Sequence, residues 1–161
     1  MEQLAAHLRG FIVATDEYRR AMAASAGIGV TEAAALGEVL HNGSLSPSGL
    51  IKRLGIASAS VTALVDRLET ANLIQRSPNP ADRRGIVLTL TPHGRGLIEA
   101  MYALFTDDIR AAIEDAEPEH VREFTVALER MQATLRTRAA NRDALGEALR
   151  QQYTPTGSPD S

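Results

Sequence analysis

The side chains best suited to binding chemistry are basic and hydroxyl groups gathered between residues 44 and 90. This segment carries six basic and three acidic residues, a net charge of +3, while the rest of the chain carries −6 because the whole is at −3. Cationic and hydroxyl side chains are the groups that contact phosphate oxygens. A basic module in an acidic chain therefore predicts a local surface for a polyanion. Its basic residues are Lys52, Arg53, Arg67, Arg76, Arg83 and Arg84.

The sequence offers no comparable pattern for catalysis or metal binding. The four histidines are scattered along the chain, and no histidine joins acidic residues at a metal-ligand spacing. Serines are present without a nucleophile elbow, a phosphate loop or a metal signature beside them. The absence of cysteine excludes disulfides and thiolate sites. We therefore expect neither an enzyme nor a protein with a metal or another cofactor.

Two short helices joined by a tight turn must position most of the basic and hydroxyl groups. Ser46 suits the cap of the first helix, Pro47 its first position, and Gly55 the turn after it. The second helix is predicted from residue 57 or 58 to 71, with one apolar face formed by Val61, Leu64, Val65 and Leu68.

A small hairpin is predicted after these helices. Two β-prone runs, residues 74–77 and 85–90, surround a proline-containing tip that carries Arg83 and Arg84. A helix-turn-helix followed by a basic hairpin is a winged helix-turn-helix, which places one helix in the major groove of DNA.

Longer predicted helices flank this module, at residues 2–25, 92–115 and 118–138. Apolar residues at heptad spacing require a partner surface, which favours a homodimer. We predict a mainly α fold with a small β-wing, in which residues 1–30 and 91–152 form a dimerisation region, 31–90 the winged helix-turn-helix and 153–161 a disordered tail. The predicted dimer interface comprises Leu4, Leu8, Phe11, Val121, Phe124, Leu128, Met131 and Leu135.

The stretch LSPSGLIKRLGIASASVTALVDRLETANLIQR, followed by PNPADRRGIVLTLTPHG, resembles the multiple-antibiotic-resistance regulator (MarR) family of transcription factors. The resemblance is close over residues 45–96 and otherwise lies in the length and order of the helices. It implies a homodimer that occupies a pseudo-palindromic operator, usually as a repressor. It also implies release by a small, often aromatic or phenolic, ligand bound between the dimerisation and DNA-binding regions. The alternative is a winged-helix dimer that scaffolds a protein partner without binding DNA.

The predicted contacts with double-stranded DNA lie on both short helices and the wing. Ala57 replaces a common capping residue, and Ser58 and Ala63 stand where the family often has long polar side chains, so we expect thin base readout and more reliance on the wing and DNA shape. The resemblance implies that Arg84 pairs with Asp66 to orient the wing. For each of these basic and hydroxyl residues taken singly, the alternative to DNA contact is a solvated surface group. The predicted contacts are Ser46, Lys52, Arg53, Ser58, Ser60, Thr62, Arg67, Arg76, Arg83 and Arg84.

Three residues are candidates for contact with a small effector: Tyr18, Met22 and His41. Tyr18 and Met22 are alternatively core residues, and His41 alternatively interacts with the dipole at a helix end. No run reaches the ~20 apolar residues of a membrane helix, and the N-terminus lacks a basic-then-apolar signal pattern. We therefore expect a cytoplasmic protein without a membrane partner.

Overall fold

The computed structural model describes residues 1–79 and 82–153, and for residues 82–84 it describes the backbone alone. The described part is mainly helical with one small hairpin, which confirms the predicted fold class. The predicted disordered tail lies outside the described residues, apart from Tyr153. In chain order the elements are α1 (Glu2–Ser25), α2 (Val30–Asn42), α3 (Pro47–Leu54), α4 (Ser58–Thr70), β1 (Ile74–Asn79), β2 (Asp82–Leu90), α5 (Pro92–Ala112), α6 (Pro118–Ala140) and α7 (Arg142–Gln152).

Side-chain caps explain where several of these helices begin. The Ser46 hydroxyl accepts the Gly49 N–H at 3.1 Å at the start of α3, as predicted. Gly55 ends α3 in the left-handed conformation with φ of 66°. At the start of α5, the Thr91 hydroxyl accepts the Gly94 N–H at 3.0 Å and donates to the Asn72 carbonyl at 2.6 Å. Thr91 therefore joins the end of the hairpin to the first turn of α5.

The hairpin is longer than the sequence predicts. Its antiparallel register pairs Ile74 with Leu90, Arg76 with Leu88 and Pro78 with Ile86. Pro78 is tolerated because β1 is an edge strand, where a missing N–H need not break the ladder. Leu45 adds a bridge to the other side of β2, with hydrogen bonds of 3.0 and 2.7 Å to Leu88. The base of the hairpin is thus tied to the segment before α3.

One apolar core lies where α2, α3, α4, the hairpin and α5 meet. The four apolar residues predicted on α4 are at most 2% exposed, which confirms that face of the helix. They pack with residues of the other elements, namely Ala35, Leu36, Val39, Leu50, Leu73, Ile74, Leu88, Ile98 and Met101.

The chain divides into two compact units, Met1–Asp108 and Ile109–Ser161. The core belongs to the first unit, whereas no described residue of the second is buried. Helix α5 ends at Ala112, three residues before its predicted end. Glu114 and Asp115 explain the difference, since acidic side chains are unfavourable at the negative end of a helix. The dimerising role of the flanking helices stays a prediction.

Within the described ranges, no single helix is long and apolar enough to cross a membrane, although two bent helix pairs, α1 with α2 and α3 with α4, meet the length and composition criteria together.

Candidate nucleic-acid interface

Helix α4 presents a polar face to solvent opposite its buried apolar face. Ser58, Ser60, Thr62, Asp66 and Arg67 are all exposed. The residue before the helix is Ala57, and no side chain caps the first turn, so Ser58 does not replace the missing cap. Among the residues that the structure describes, no side chain accepts a hydrogen bond from the amide groups of this turn, which lie beside two serine hydroxyls. Such a surface suits phosphate oxygens or base edges.

Most of the basic side chains described in the module are engaged by carboxylates. Arg53 Nη1 of α3 donates to Glu38 Oε2 of α2 at 3.2 Å. Arg67 Nε of α4 donates to Glu32 Oε1 of α2 at 2.7 Å. Lys52 is exposed and makes no ion pair with any residue that the structure describes. Of the basic residues predicted to contact phosphate from α3 and α4, Lys52 is thus solvated, whereas Arg53 and Arg67 also hold these helices against α2.

Arg76 forms a two-pronged contact between the hairpin and α4. Its Nη2 donates to Asp66 Oδ1 and its Nη1 to Glu69 Oε2, both at 2.5 Å. These carboxylates, led by Asp66, raise the pKa of Arg76 above its usual value. The predicted partner of Asp66 was Arg84, whose side chain, like that of Arg83, lies outside what the structure describes. The sequence signal for the observed contact is the spacing of Asp66 and Glu69, which places two carboxylates on one side of α4.

Glu32 is a site residue that the sequence did not reveal. Its Oε2 accepts the Gly29 N–H at 2.8 Å, capping α2, while its Oε1 accepts from Arg67. The Gly29 hydrogen bond, and next the Arg67 hydrogen bond, lower the pKa of Glu32. Glu32 and Arg67 are 35 residues apart, so no local pattern predicts their contact.

A cavity of about 270 Å³ lies within the first unit, between α1, α2 and α5. Its wall is apolar except for Thr15, Arg19 and Tyr102. Of the predicted effector contacts, Met22 lines this cavity. Arg19 also forms an ion pair with Asp16, with its Nη1 3.3 Å from Asp16 Oδ1. A guanidinium on a mainly apolar wall is suited to a small organic anion. The remaining lining residues are Val30, Ala33, Ala34, Ile98, Met101 and Phe105.

The other two predicted effector contacts do not line the cavity. Tyr18 stacks at a tilt on Phe105 with ring centroids 5.9 Å apart, and its hydroxyl donates to Asp108 Oδ2 at 2.5 Å. That hydrogen bond raises the pKa of Tyr18. His41 is exposed in the last turn of α2, the position expected for interaction with the helix dipole.

The predicted dimer contacts remain uncovered or half-covered in the isolated chain. Leu4 and Phe11 of α1 are 47% and 52% exposed, and Phe124 and Leu135 of α6 are 56% and 67% exposed. The other four, Leu8, Val121, Leu128 and Met131, are half-buried. No group of side chains within the described residues is arranged to hold a metal ion.

Comparisons with known proteins place these features in a family. A sequence model of the MarR family matches residues 26–85, from the turn before α2 into the hairpin. The HTH-type transcriptional repressor NicR of Pseudomonas putida is 38% identical over 60 residues, which are 37% of this chain and only 38% of that relative's length. The HTH-type transcriptional regulator MhqR of Bacillus subtilis is 30% identical over 105 residues, 65% of this chain and 72% of that protein.

The likeness extends to solved structures. The solved structure of a MarR family protein from Bacillus stearothermophilus superposes with a TM-score of 0.76 at 22% identity, covering 83% of this chain and 94% of that one. At this identity the superposition supports the fold, while the sequence matches support the family. The chain therefore belongs to the MarR family.

Proposed function

We propose that the chain is a homodimeric transcription regulator that binds double-stranded DNA through α3, α4 and the hairpin. On this proposal it is a repressor that leaves its operator when a small aromatic or phenolic ligand binds. The observation that carries the proposal is the exposed polar face of α4, which has no side-chain cap at its N-terminus. The relatives named above are transcription regulators, which agrees with the expectation of a protein without enzymatic activity.

The surface proposed to face DNA offers few side chains for contact with bases or phosphates. The first turn of α4 offers Ser58 and Ser60 hydroxyls, and Lys52 of α3 is a solvated cation. Because Arg53 and Arg67 are engaged by Glu38 and Glu32, much of the remaining positive charge for phosphate contact falls on the hairpin. Specificity then depends on the hairpin and on DNA shape as much as on bases.

A homodimer would satisfy the uncovered apolar residues and set the spacing of the two α4 helices. The second unit has no buried residue within its described part, so a partner surface is needed to cover its apolar side chains. A two-fold arrangement would space two half-sites roughly 34 Å apart, one turn of DNA. A full-length Leu135→Glu variant tests the interface, and light scattering measures whether its molar mass in solution is that of a dimer. Arg122→Glu, on the exposed surface of the same helix, is the control.

The cavity supports the effector part of the proposal. Its volume of about 270 Å³ suits one small ring, and the guanidinium of Arg19, which also pairs with Asp16, lies on a mainly apolar wall. An aromatic carboxylate or phenolate matches both properties. The cavity wall includes residues of α2, which also contacts α4 through Glu32, so the ligand would act close to the DNA-binding helices.

A second function, a protein-interaction scaffold without DNA binding, is favoured by one observation. Of the four basic side chains that the structure describes in the module, Arg53, Arg67 and Arg76 are all bound by carboxylates of the same chain. Selection of bound duplexes from a random DNA pool separates the two functions. We expect recovery of a pseudo-palindrome whose footprint spans two half-sites and whose affinity falls steeply with salt. Failure to enrich any duplex at low salt would refute DNA binding and leave the scaffold.

A further inference from the structure

Helix α2 contacts both the cavity and the helix-turn-helix. Three of its residues form part of the cavity wall, and two of its glutamates bind the two helices of the helix-turn-helix. Glu32 binds Arg67 of α4, and Glu38 binds Arg53 of α3. Helix α2 therefore joins the cavity to both helices of the helix-turn-helix. The residues that α2 contributes to the cavity wall are Val30, Ala33 and Ala34.

The Glu32 carboxylate is the tighter of the two connections. Both of its oxygens are occupied, one by the Gly29 N–H at 2.8 Å and one by Arg67 Nε at 2.7 Å. The Glu32 side chain is 15% exposed and the Arg67 side chain is 61% exposed, so the carboxylate end of the contact is largely shielded from solvent while the guanidinium end is not. The same carboxylate thus fixes the first turn of α2 and holds α4.

The Glu38 connection is longer, and its carboxylate is more exposed than that of Glu32. Its distance to Arg53 is 3.2 Å, and the two side chains are 32% and 44% exposed. Glu38 also accepts from the side chain of Asn42 within α2, at 3.5 Å. Ion pairs of this kind contribute little free energy. We therefore assign the main connection to Glu32, because its contact with Arg67 is the shorter of the two. Glu32 also directly precedes the cavity residue Ala33 in the chain.

We propose that Glu32 is a positioning residue that transmits occupation of the cavity to α4 through Arg67. An occupant that pushes on Ala33 and Ala34 displaces the first turn of α2, and the Glu32–Arg67 contact carries α4 with it. This inference rests on the proposed function, since it concerns how ligand binding alters the DNA-binding face. It requires a coupling between two sites carried by one identified contact.

The test removes the charge of Glu32 while keeping its cap. Glu32→Gln retains an oxygen that accepts the Gly29 N–H, but it no longer offers a carboxylate to Arg67. Glu99→Gln is the matched control, because it disrupts an ion pair of 3.3 Å with Arg95 inside α5 rather than between helices. The cavity is filled by Ala34→Leu, which mimics an occupant without requiring a known ligand. Ala33→Leu replaces Ala34→Leu if the latter does not fold.

The first measurement needs no DNA. The chain has no cysteine, so Ser60→Cys allows a single trifluoromethyl label on the exposed face of α4. In fluorine NMR we expect Ala34→Leu to shift the label resonance in the parent and Glu99→Gln backgrounds. In the Glu32→Gln background the shift should be largely lost. An equal shift in all backgrounds, or no shift in any, would overturn the inference.

The second measurement uses the selected duplex and unlabelled protein. We expect Ala34→Leu to weaken DNA binding at least about fivefold in the parent, the lower end of typical allosteric coupling. The same substitution should change affinity less than about twofold beside Glu32→Gln, since a double-mutant cycle isolates the contact. Equal losses in both backgrounds contradict the role of Glu32. If no variant binds DNA while the fluorine coupling persists, the proposed function fails and the connection between cavity and α4 stands.

Discussion

Replacing Gly94 by alanine should destabilise the protein through one backbone clash. A Cβ built on Gly94 lies 1.9 Å from the Leu73 carbonyl oxygen and 2.7 Å from its carbon, whereas ordinary contact begins near 3.4 Å. The neighbour is main chain, so relief requires a movement of about 1.5 Å. The same Leu73 carbonyl accepts the Thr91 N–H at 3.1 Å, and Leu73 is buried in the core. Neither group can move without disturbing the junction between the hairpin and α5.

The size of the effect follows from two opposing contributions. Overpacking costs about 1–3 kcal/mol, and a clash with buried backbone belongs at the upper end. The better helix propensity of alanine returns up to about 1 kcal/mol. A net loss of about 2 kcal/mol lowers the melting temperature of a chain this long by about 4–8 °C.

Circular dichroism at fixed protein concentration measures this loss, because oligomerisation makes the melting temperature depend on concentration. Gly96→Ala is the matched control. It lies two residues further along α5, where an added Cβ meets nothing within 4 Å, and it should stabilise the protein slightly. If Gly94→Ala melts at or above the temperature of Gly96→Ala, the packing argument is refuted.

Three other expectations concern the cavity, the α2 cap and the hairpin. Gly37→Ala places a Cβ against the Tyr102 hydroxyl but 3.5 Å from the ring carbon that bears it, so adding Tyr102→Phe should restore the stability that Gly37→Ala loses in urea denaturation. The pKa of Glu32 is lowered on folding from 4.5, so its charge stabilises the fold above that value. The stability difference between the parent and Glu32→Gln should be constant from neutral pH to about 5 and shrink as acid titrates the folded carboxylate; an unchanged difference in acid contradicts this. Arg83→Ala should reduce the salt slope of DNA binding by about 0.9 per lost phosphate contact, hence about 1.8 per dimer, and an unaltered slope would exclude the contact.

The elements that local sequence rules govern were predictable. The buried face of α4 follows from helical spacing, and the start of α3 from Ser46 and Pro47. The contacts between elements were not, because they join distant residues by three-dimensional packing. Tyr18 meets Asp108 across 90 residues, and Glu32 meets Arg67 across 35. The cavity likewise arises from α1, α2 and α5 together, and of the three predicted effector contacts Met22 lines it while Tyr18 and His41 do not.

The double pairing of Leu88 bears on how such a protein diversifies. Leu88 is completely buried, and it is paired with Arg76 on one side of β2 and with Leu45 on the other. The base of the hairpin is therefore anchored independently of the residues beyond Pro78 and Ile86. Changes of length or charge beyond that pair leave the anchor intact, as is typical of loops supported by a rigid scaffold. Evolution or design can thus vary the far end of the hairpin without having to re-stabilise the fold.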